Sequence, residues 1–243
     1  MARNTAVLES SHSSSDVDLD ISAIEKPLAE RDRGVLVGPF EVGEDLANGP
    51  VCYVPRRGIW ELHGGATEPS CRVIDDLLFG EQNSTVERFS SHRPTDVDGL
   101  AAQVRAVAAG FPQRALSGWP IDFAKAYKLV PGDHAQLRFV VVAQWCPYRC
   151  RPVLWVARSQ VFGGPSSPLN FARYPAWMCE ALAVYFSLAT SHCVDDMIGI
   201  DPSDIVVSGW SDWRYVARRC GWEVSDEKSP PPISAVHGSR CDP

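Results

Sequence analysis

The chain has 243 residues, 45% of them apolar and 22% charged, which excludes collagen-like and low-complexity classes and fits one large globular domain or two small ones. No apolar run approaches the roughly eighteen residues that cross a bilayer. The acidic start does not read as a secretory signal, so no membrane partner and an intracellular location, cytoplasmic or nuclear, are expected. The net charge of −7 is the opposite of the basic surface that tight nucleic-acid binding uses.

Residues 1–33 hold four Lys/Arg against seven Asp/Glu and include the run SHSSSDVDLD. They predict a disordered acidic, Ser-rich tail, too polar to bury. From about residue 34 to residue 83 short apolar runs alternate with glycines, as strands and loops do. Arg72-Val73-Ile74-Asp75-Asp76 reads as a short strand ending in acids. A helix is predicted over residues 95–110, bounded by Pro94, capped by Thr95 and ended by Gly110 and Pro112. Val97, Leu100, Val104 and Val107 recur on one face of it. A strand follows over residues 117–122, then a strand pair over residues 137–144 and 153–157. A long, nearly continuously apolar helix is predicted over residues 168–189, well buried and kinked at Pro175. A hairpin over residues 189–200 comes next, then an amphipathic helix over residues 211–219. That helix turns Trp213, Val216 and Cys220 inward and stops at Gly221. A last short strand occupies residues 222–224, ahead of Lys228 and the run Pro230-Pro231-Pro232. Helices alternating with hairpin strands predict an α+β fold, with helices on one face of an antiparallel sheet.

The eight cysteines, Cys52, Cys71, Cys146, Cys150, Cys179, Cys193, Cys220 and Cys241, include no C-x-x-C pair. They read as scattered small core residues of a reducing compartment rather than a zinc site. The hairpin is more telling. Residues 191–200 read SHCVDDMIGI, with Asp195 and Asp196 side by side among apolar neighbours. Buried carboxylates must be paired or hold a cation. A strand, a tight two-Asp tip and a second strand would project both into a cleft, anchored by Cys193, Val194, Met197 and Ile198. A third carboxylate, Asp122, closes the apolar stretch Trp119-Pro120-Ile121. Carboxylates at neighbouring strand ends are how two-metal phosphoryl-transfer sites are built.

Five motifs occur in one order. Arg72 and the pair Asp75-Asp76, with Asn83 later, give a basic residue, an acidic pair and an Asn. Asp122-Phe123-Ala124-Lys125-Ala126-Tyr127 gives D-x-x-x-A-Y. Phe162-Gly163 with Pro168 and Phe171 gives F-G-x-x-x-x-P-x-x-F. Cys193-Val194-Asp195-Asp196 fits an aromatic-x-D-D pattern except at Cys193. Gly221-Trp222 with Lys228 and Pro230-Pro231 is the last. Together, over roughly residues 30–235, they resemble the fingers and palm of a reverse transcriptase from a retrotransposon or other retroelement Pol protein. Asp122 and Asp195 stand 73 residues apart, a spacing typical of that family.

The resemblance implies a palm-type antiparallel sheet with a small fingers subdomain and no complete thumb. Residues 34–115 would be fingers-like, 116–235 the palm catalytic domain and 236–243 a flexible C-terminus. It implies an RNA-directed DNA polymerase, a nucleotidyltransferase that extends a primer on an RNA or DNA template with dNTPs. Asp122, Asp195 and Asp196 would hold two Mg²⁺ ions, with Mn²⁺ as a substitute, and Lys228 would act on the leaving pyrophosphate. Arg72 would meet the triphosphate, Tyr127 would sit under the sugar and favour dNTPs, and Phe162 and Gly163 would line the nucleotide site. Arg56 and Arg57 read as solvated surface charges. With its acidic balance and no thumb after Lys228, the chain is expected to be a truncated element product, its thumb supplied by another Pol segment or subunit. The alternative is a catalytically inactive nucleic-acid-binding or vestigial fragment. Tyr127 disfavours an RNA-synthesising relative, and the ordered nucleotide motifs disfavour a two-metal nuclease.

Overall fold

The strands build two sheets, which the computed structural model describes over residues 2–46, 49–62, 67–85 and 95–232. Pro94, Cys241 and the stretch 236–243 lie outside these residues. The chain is α+β and divides into two units. Unit 1 comprises Met1–Phe89 and Tyr127–Ser167, and unit 2 comprises Ser90–Ala126 and Pro168–Pro243. The expected boundary near residue 115 is replaced by interleaved segments, with the D-x-x-x-A-Y stretch divided between Ala126 and Tyr127.

Unit 1 is a five-stranded sheet in the order β1-β6-β5-β2-β3. Its strands are β1 (Leu36–Phe40), β2 (Tyr53–Glu61), β3 (Ser70–Asp75), β5 (Val141–Cys146) and β6 (Arg151–Ala157). Neighbours are antiparallel except β2 and β5, which run parallel with Tyr53 opposite Val141. Side chains alternate between faces. Val54, Val142, Val153 and Trp155 join Ile24 and Leu36 in one core cluster, while Tyr53, Val141, Ala143 and Leu154 join Val7 in another. The expected strand over residues 137–144 is shorter, because His134–Phe139 forms a 3₁₀ helix before β5 begins.

Residues 1–33 are not a disordered tail. They form α1 (Ala2–Ser10) and α2 (Val17–Asp32), which bury Val7 and, in α2, Leu19, Ala23 and Ile24. Asp16 caps α2 by accepting a bond from the Leu19 N–H at 3.0 Å. Arg56 is likewise no surface charge. Its side chain is 1% exposed and grips Asp75, its cross-strand partner, through Nε–Oδ1 at 2.6 Å and Nη2–Oδ2 at 2.9 Å. Its Nη1 reaches Glu30 Oε2 of α2 at 3.0 Å, and Lys128 pairs with the other Glu30 oxygen. Two cations thus meet two carboxylates in the interior, and polarity in sequence became polarity satisfied in the fold. Arg57, by contrast, is exposed as expected.

Unit 2 is a three-stranded antiparallel sheet, β4-β8-β7. Its strands are β4 (Leu116–Asp122), β7 (Ala189–Cys193) and β8 (Asp196–Pro202). Along β4, Trp119 and Ile121 are buried while Gly118 and Pro120 are exposed, so one face is covered. The Trp119 indole lies across its cross-strand partner Gly199, where a Cβ would stand 1.9 Å from the ring. Its Nε1 donates to Asp201 Oδ2 at 2.8 Å. The helices of this unit are α3 (Val97–Gly110), α4 (Ser167–Phe186) and α5 (Val206–Arg219).

Each helix departs from its expected burial. Asp96 rather than Thr95 caps α3, accepting from the Gly99 N–H at 2.7 Å, while the Thr95 N–H donates to the His192 carbonyl. No residue of α3 is buried, and Val97 is 82% exposed, so the apolar stripe is not a core face. In α4 a stripe of Phe171, Met178 and Leu182 is buried, while Trp177, Val184 and Tyr185 face outward; the helix is amphipathic rather than buried all round. In α5 Trp213 is inward as expected, but Cys220 is exposed; of the described cysteines only Cys71 and Cys146 are buried, so they are not a set of core residues. Residues 222–224 make one isolated bridge, Phe123 to Val224, instead of a strand.

Two substitutions test this packing. Glu30→Gln leaves Arg56 and Lys128 facing one carboxylate and is expected to cost about 3–5 kcal/mol in urea unfolding. Gly199→Ala forces the Trp119 ring out of place and is expected to lower stability by about 1–3 kcal/mol, with a changed near-ultraviolet tryptophan signal.

Candidate active site

The acidic hairpin is built differently from a two-Asp tip. Cys193 pairs with Asp196, so Val194 and Asp195 are the turn and Asp196 is the first residue of β8. Val194 takes φ +58°, a position that such turns usually give to glycine and that a β-branched residue adopts only under strain, on the order of 1–3 kcal/mol. Below the turn Met197 is fully buried and anchors the strand, whereas Cys193 is exposed.

Register then brings the third carboxylate in. Asp122, the last residue of β4, lies directly opposite Asp196 across the β4–β8 ladder. Like charges in that position repel. Residues 223–229 return alongside β4. The Ala124 N–H donates to the Glu223 carbonyl and the Ser225 N–H to the Asp122 carbonyl, each at 2.9 Å. The Asp122 N–H donates to the buried Ser229 hydroxyl at 2.9 Å, and Lys228 Nζ stands 3.6 Å from Asp122 Oδ2. Trp222 fixes this return by packing against Phe123 at 5.2 Å, Phe171 at 5.7 Å and Tyr174 at 4.9 Å between ring centroids.

Burial pushes the Asp122 carboxyl above its ordinary value; Lys228 pulls it down, and the charges of Asp196 and Asp195 push it up again. Asp196 is raised by partial burial and by Asp195, and lowered by Lys228. Asp196 is exposed as a residue while the Asp122 side chain is only 15% exposed, so Asp122 is the firmer case. Among the described residues no group of three or more His, Cys, Asp or Glu side chains is gathered tightly enough to hold a metal ion, Asp122, Asp195 and Asp196 included. The donors are nevertheless hard carboxylate oxygens in mutual repulsion, the chemistry that Mg²⁺ takes through one or two carboxylates plus substrate phosphates.

The residues expected to bind nucleotide lie in unit 1. The Tyr127 ring, 9% exposed, meets Phe162 edge to face at 4.8 Å. Gly163 follows with φ +84°, and a Cβ there would lie 3.2 Å from the Asp75 carbonyl oxygen. Its own carbonyl accepts from Asn83 Nδ2 at 3.2 Å, which joins two of the sequence motifs. Arg72 is exposed, and its Nη1 pairs with Glu61 Oε1 at 3.1 Å across β2 and β3. Asp75 and Asp76 have structural duties. Asp75 belongs to the Arg56 cluster, and Asp76 accepts from the Phe79 N–H at 2.9 Å in a turn.

Sequence reasoning missed Ser229, Asp201 and the ring cluster around Phe123. Ser229 sits between Lys228 and the Pro230-Pro231-Pro232 run and carries no periodic signal. The aromatic richness around residues 119, 123, 171, 213 and 222 was the available clue to the cluster. No family model matches the chain, and no curated protein matches it either. Among the described residues no helix is long and apolar enough to cross a membrane.

The raised carboxyls set a pH dependence. The folded state holds protons that the unfolded chain releases, so these groups lower stability as pH rises through their elevated values. Asp122→Asn is therefore expected to be more stable than the parent chain at pH 7. The gain should shrink as pH falls toward the ordinary carboxylate value of 3.8. Urea unfolding midpoints across pH 4–8 (a range of about four units) check the sign.

Proposed function

We propose that this chain is a reverse-transcriptase-like RNA-directed DNA polymerase that adds dNTPs to a primer 3′-hydroxyl, with unit 2 as its palm and unit 1 containing its fingers. The observation that carries the reading is the cross-strand pair Asp122 and Asp196 with Asp195 at the adjoining turn and Lys228 against Asp122. A structural ion pair would be balanced, whereas here three carboxylates share one ammonium.

In this reading Asp122, Asp195 and Asp196 supply the oxygen ligands for Mg²⁺. When bound, the metal supplies the charge that lowers the pKa of the primer hydroxyl and offsets that of the leaving pyrophosphate. The β4–β8 ladder fixes Asp122 and Asp196, and Ser229 holds the Asp122 backbone. Lys228, 69% exposed, donates to or neutralises the pyrophosphate. Arg72 contributes a guanidinium to the triphosphate once released from Glu61. Tyr127, braced by Phe162, gives a rigid ring under the sugar and so selects dNTPs. Gly163 leaves its backbone bare for the nucleotide to approach.

A catalytically inactive nucleic-acid-binding fragment is the second reading. The lack of a three-ligand cluster among the described residues favours it. Primer extension on poly(rA)/oligo(dT) with Mg²⁺ or Mn²⁺ separates the two. Incorporation of dTTP is expected, falling at least about a hundredfold in Asp195→Asn, a loss of roughly 2.7 kcal/mol of transition-state stabilisation. Folded protein that retains the template in a salt-dependent manner without extending it under either metal would establish the inactive reading.

A further inference from the structure

We propose that unit 1 carries a second binding site, for a small amphipathic anion with an apolar body and a carboxylate head, in the cavity beside Arg138. The cavity has a volume of 490 Å³, within the roughly 300–1,000 Å³ typical of small-molecule pockets. Its walls come from the loop after β1, the 3₁₀ helix His134–Phe139, β5 and β6. Leu46, Leu137, Val141 and Val156 supply their apolar part. None of Arg72, Tyr127, Phe162 or Gly163 lines it, so it is distinct from the residues assigned to dNTP binding.

Arg138 makes the cavity more than an apolar dent. Among the described lining residues it is the one Lys or Arg, beside His134, and none of them is a carboxylate. The guanidinium stacks on its neighbour, with Cζ 4.8 Å over the Phe139 ring, and Nη1 lies beside Gly49. Yet its Nε is buried without a hydrogen-bond partner, and Arg138 enters no salt bridge among the described residues. A buried charged donor left unpaired is costly, and its partner of choice is a planar carboxylate that accepts charge-assisted bonds. The apolar walls select a hydrocarbon body behind that head, since a fully hydrated anion would leave them wet. A water on Nε would satisfy one donor but would give no reason for the walls. A short fatty carboxylate meets both demands.

Calorimetric titration of the full chain tests this, with decanoate as the probe and decanol as its neutral counterpart. Decanoate is expected to bind saturably at one site and at least about tenfold more tightly than decanol, a difference of roughly 1.4 kcal/mol. Arg138→Met should bring decanoate down to the level of decanol, and Ala135→Phe, which fills the cavity, should abolish both. Circular dichroism verifies that each variant folds. Should Arg138→Met not fold, the decanoate–decanol comparison on the parent chain decides alone. The proposal is overturned by equal affinity for the two probes, by heat that does not saturate, or by full decanoate affinity in a folded Arg138→Met.

Discussion

Two carboxylates face each other across the β4–β8 ladder, and the rest of unit 2 is arranged to hold them there. Like charges opposite one another on a sheet destabilise it, so the strand pair must be fixed by something stronger. Trp119 supplies much of this. Its ring covers Gly199, its indole N–H is tied to Asp201, and both contacts lock β4 to β8 a few residues behind the acids. At the open end, the segment returning past Trp222 brings an ammonium to Asp122 and a hydroxyl to its backbone. Partial burial raises the carboxyls of Asp122 and Asp196, and neighbouring carboxylate charges add to it: Asp196 and Asp195 at Asp122, and Asp195 at Asp196. A sheet selected only for stability would gain by replacing either acid.

Elements whose signal is local were legible. Alternation in β4 and the apolar runs of β5 and β6 could be read directly, because each signal lies within a few consecutive residues. The amphipathic face of α5 was legible too, although the helix starts at Val206, earlier than expected. The N-terminal helices were not. Composition treats each acid there as an obstacle to burial, and that holds only while the acid is unpaired. Glu30 finds Arg56 and Lys128, Asp20 takes the Ser13 hydroxyl and the Ser14 N–H, and Asp16 caps a helix. The first two partners of Glu30 lie 26 and 98 positions away in sequence, beyond any window a composition argument uses. The opposite holds in α3, where the apolar periodicity is real but no residue is buried.

The site was legible by residue type but not by register. Asp122, Asp195 and Asp196 stand out because carboxylates among apolar residues require an explanation. Which of them sits in the turn depends on strand pairing, and the pairing of Cys193 with Asp196 places Val194 rather than Asp196 there. A β-branched residue at φ +58° is a local conflict that no propensity would choose. Such conflicts persist where the surrounding ladder over-determines them, as Met197 and Ile121 do from below.

Charge balance separates the two ionic clusters of this chain. Around Arg56 two cations meet two carboxylates, every charge is enclosed and the guanidinium is held bidentately; such a group orders α2 against the sheet and has no capacity for a ligand. Around Asp122 three carboxylates stand against Lys228, whose ammonium is 3.6 Å away on a largely exposed side chain. That bond is long for an ion pair and easily exchanged in water. The first cluster is closed by geometry, and the second remains short of positive charge. It is this shortfall, more than the Asp-Asp motif itself, that sets the second cluster apart from the first.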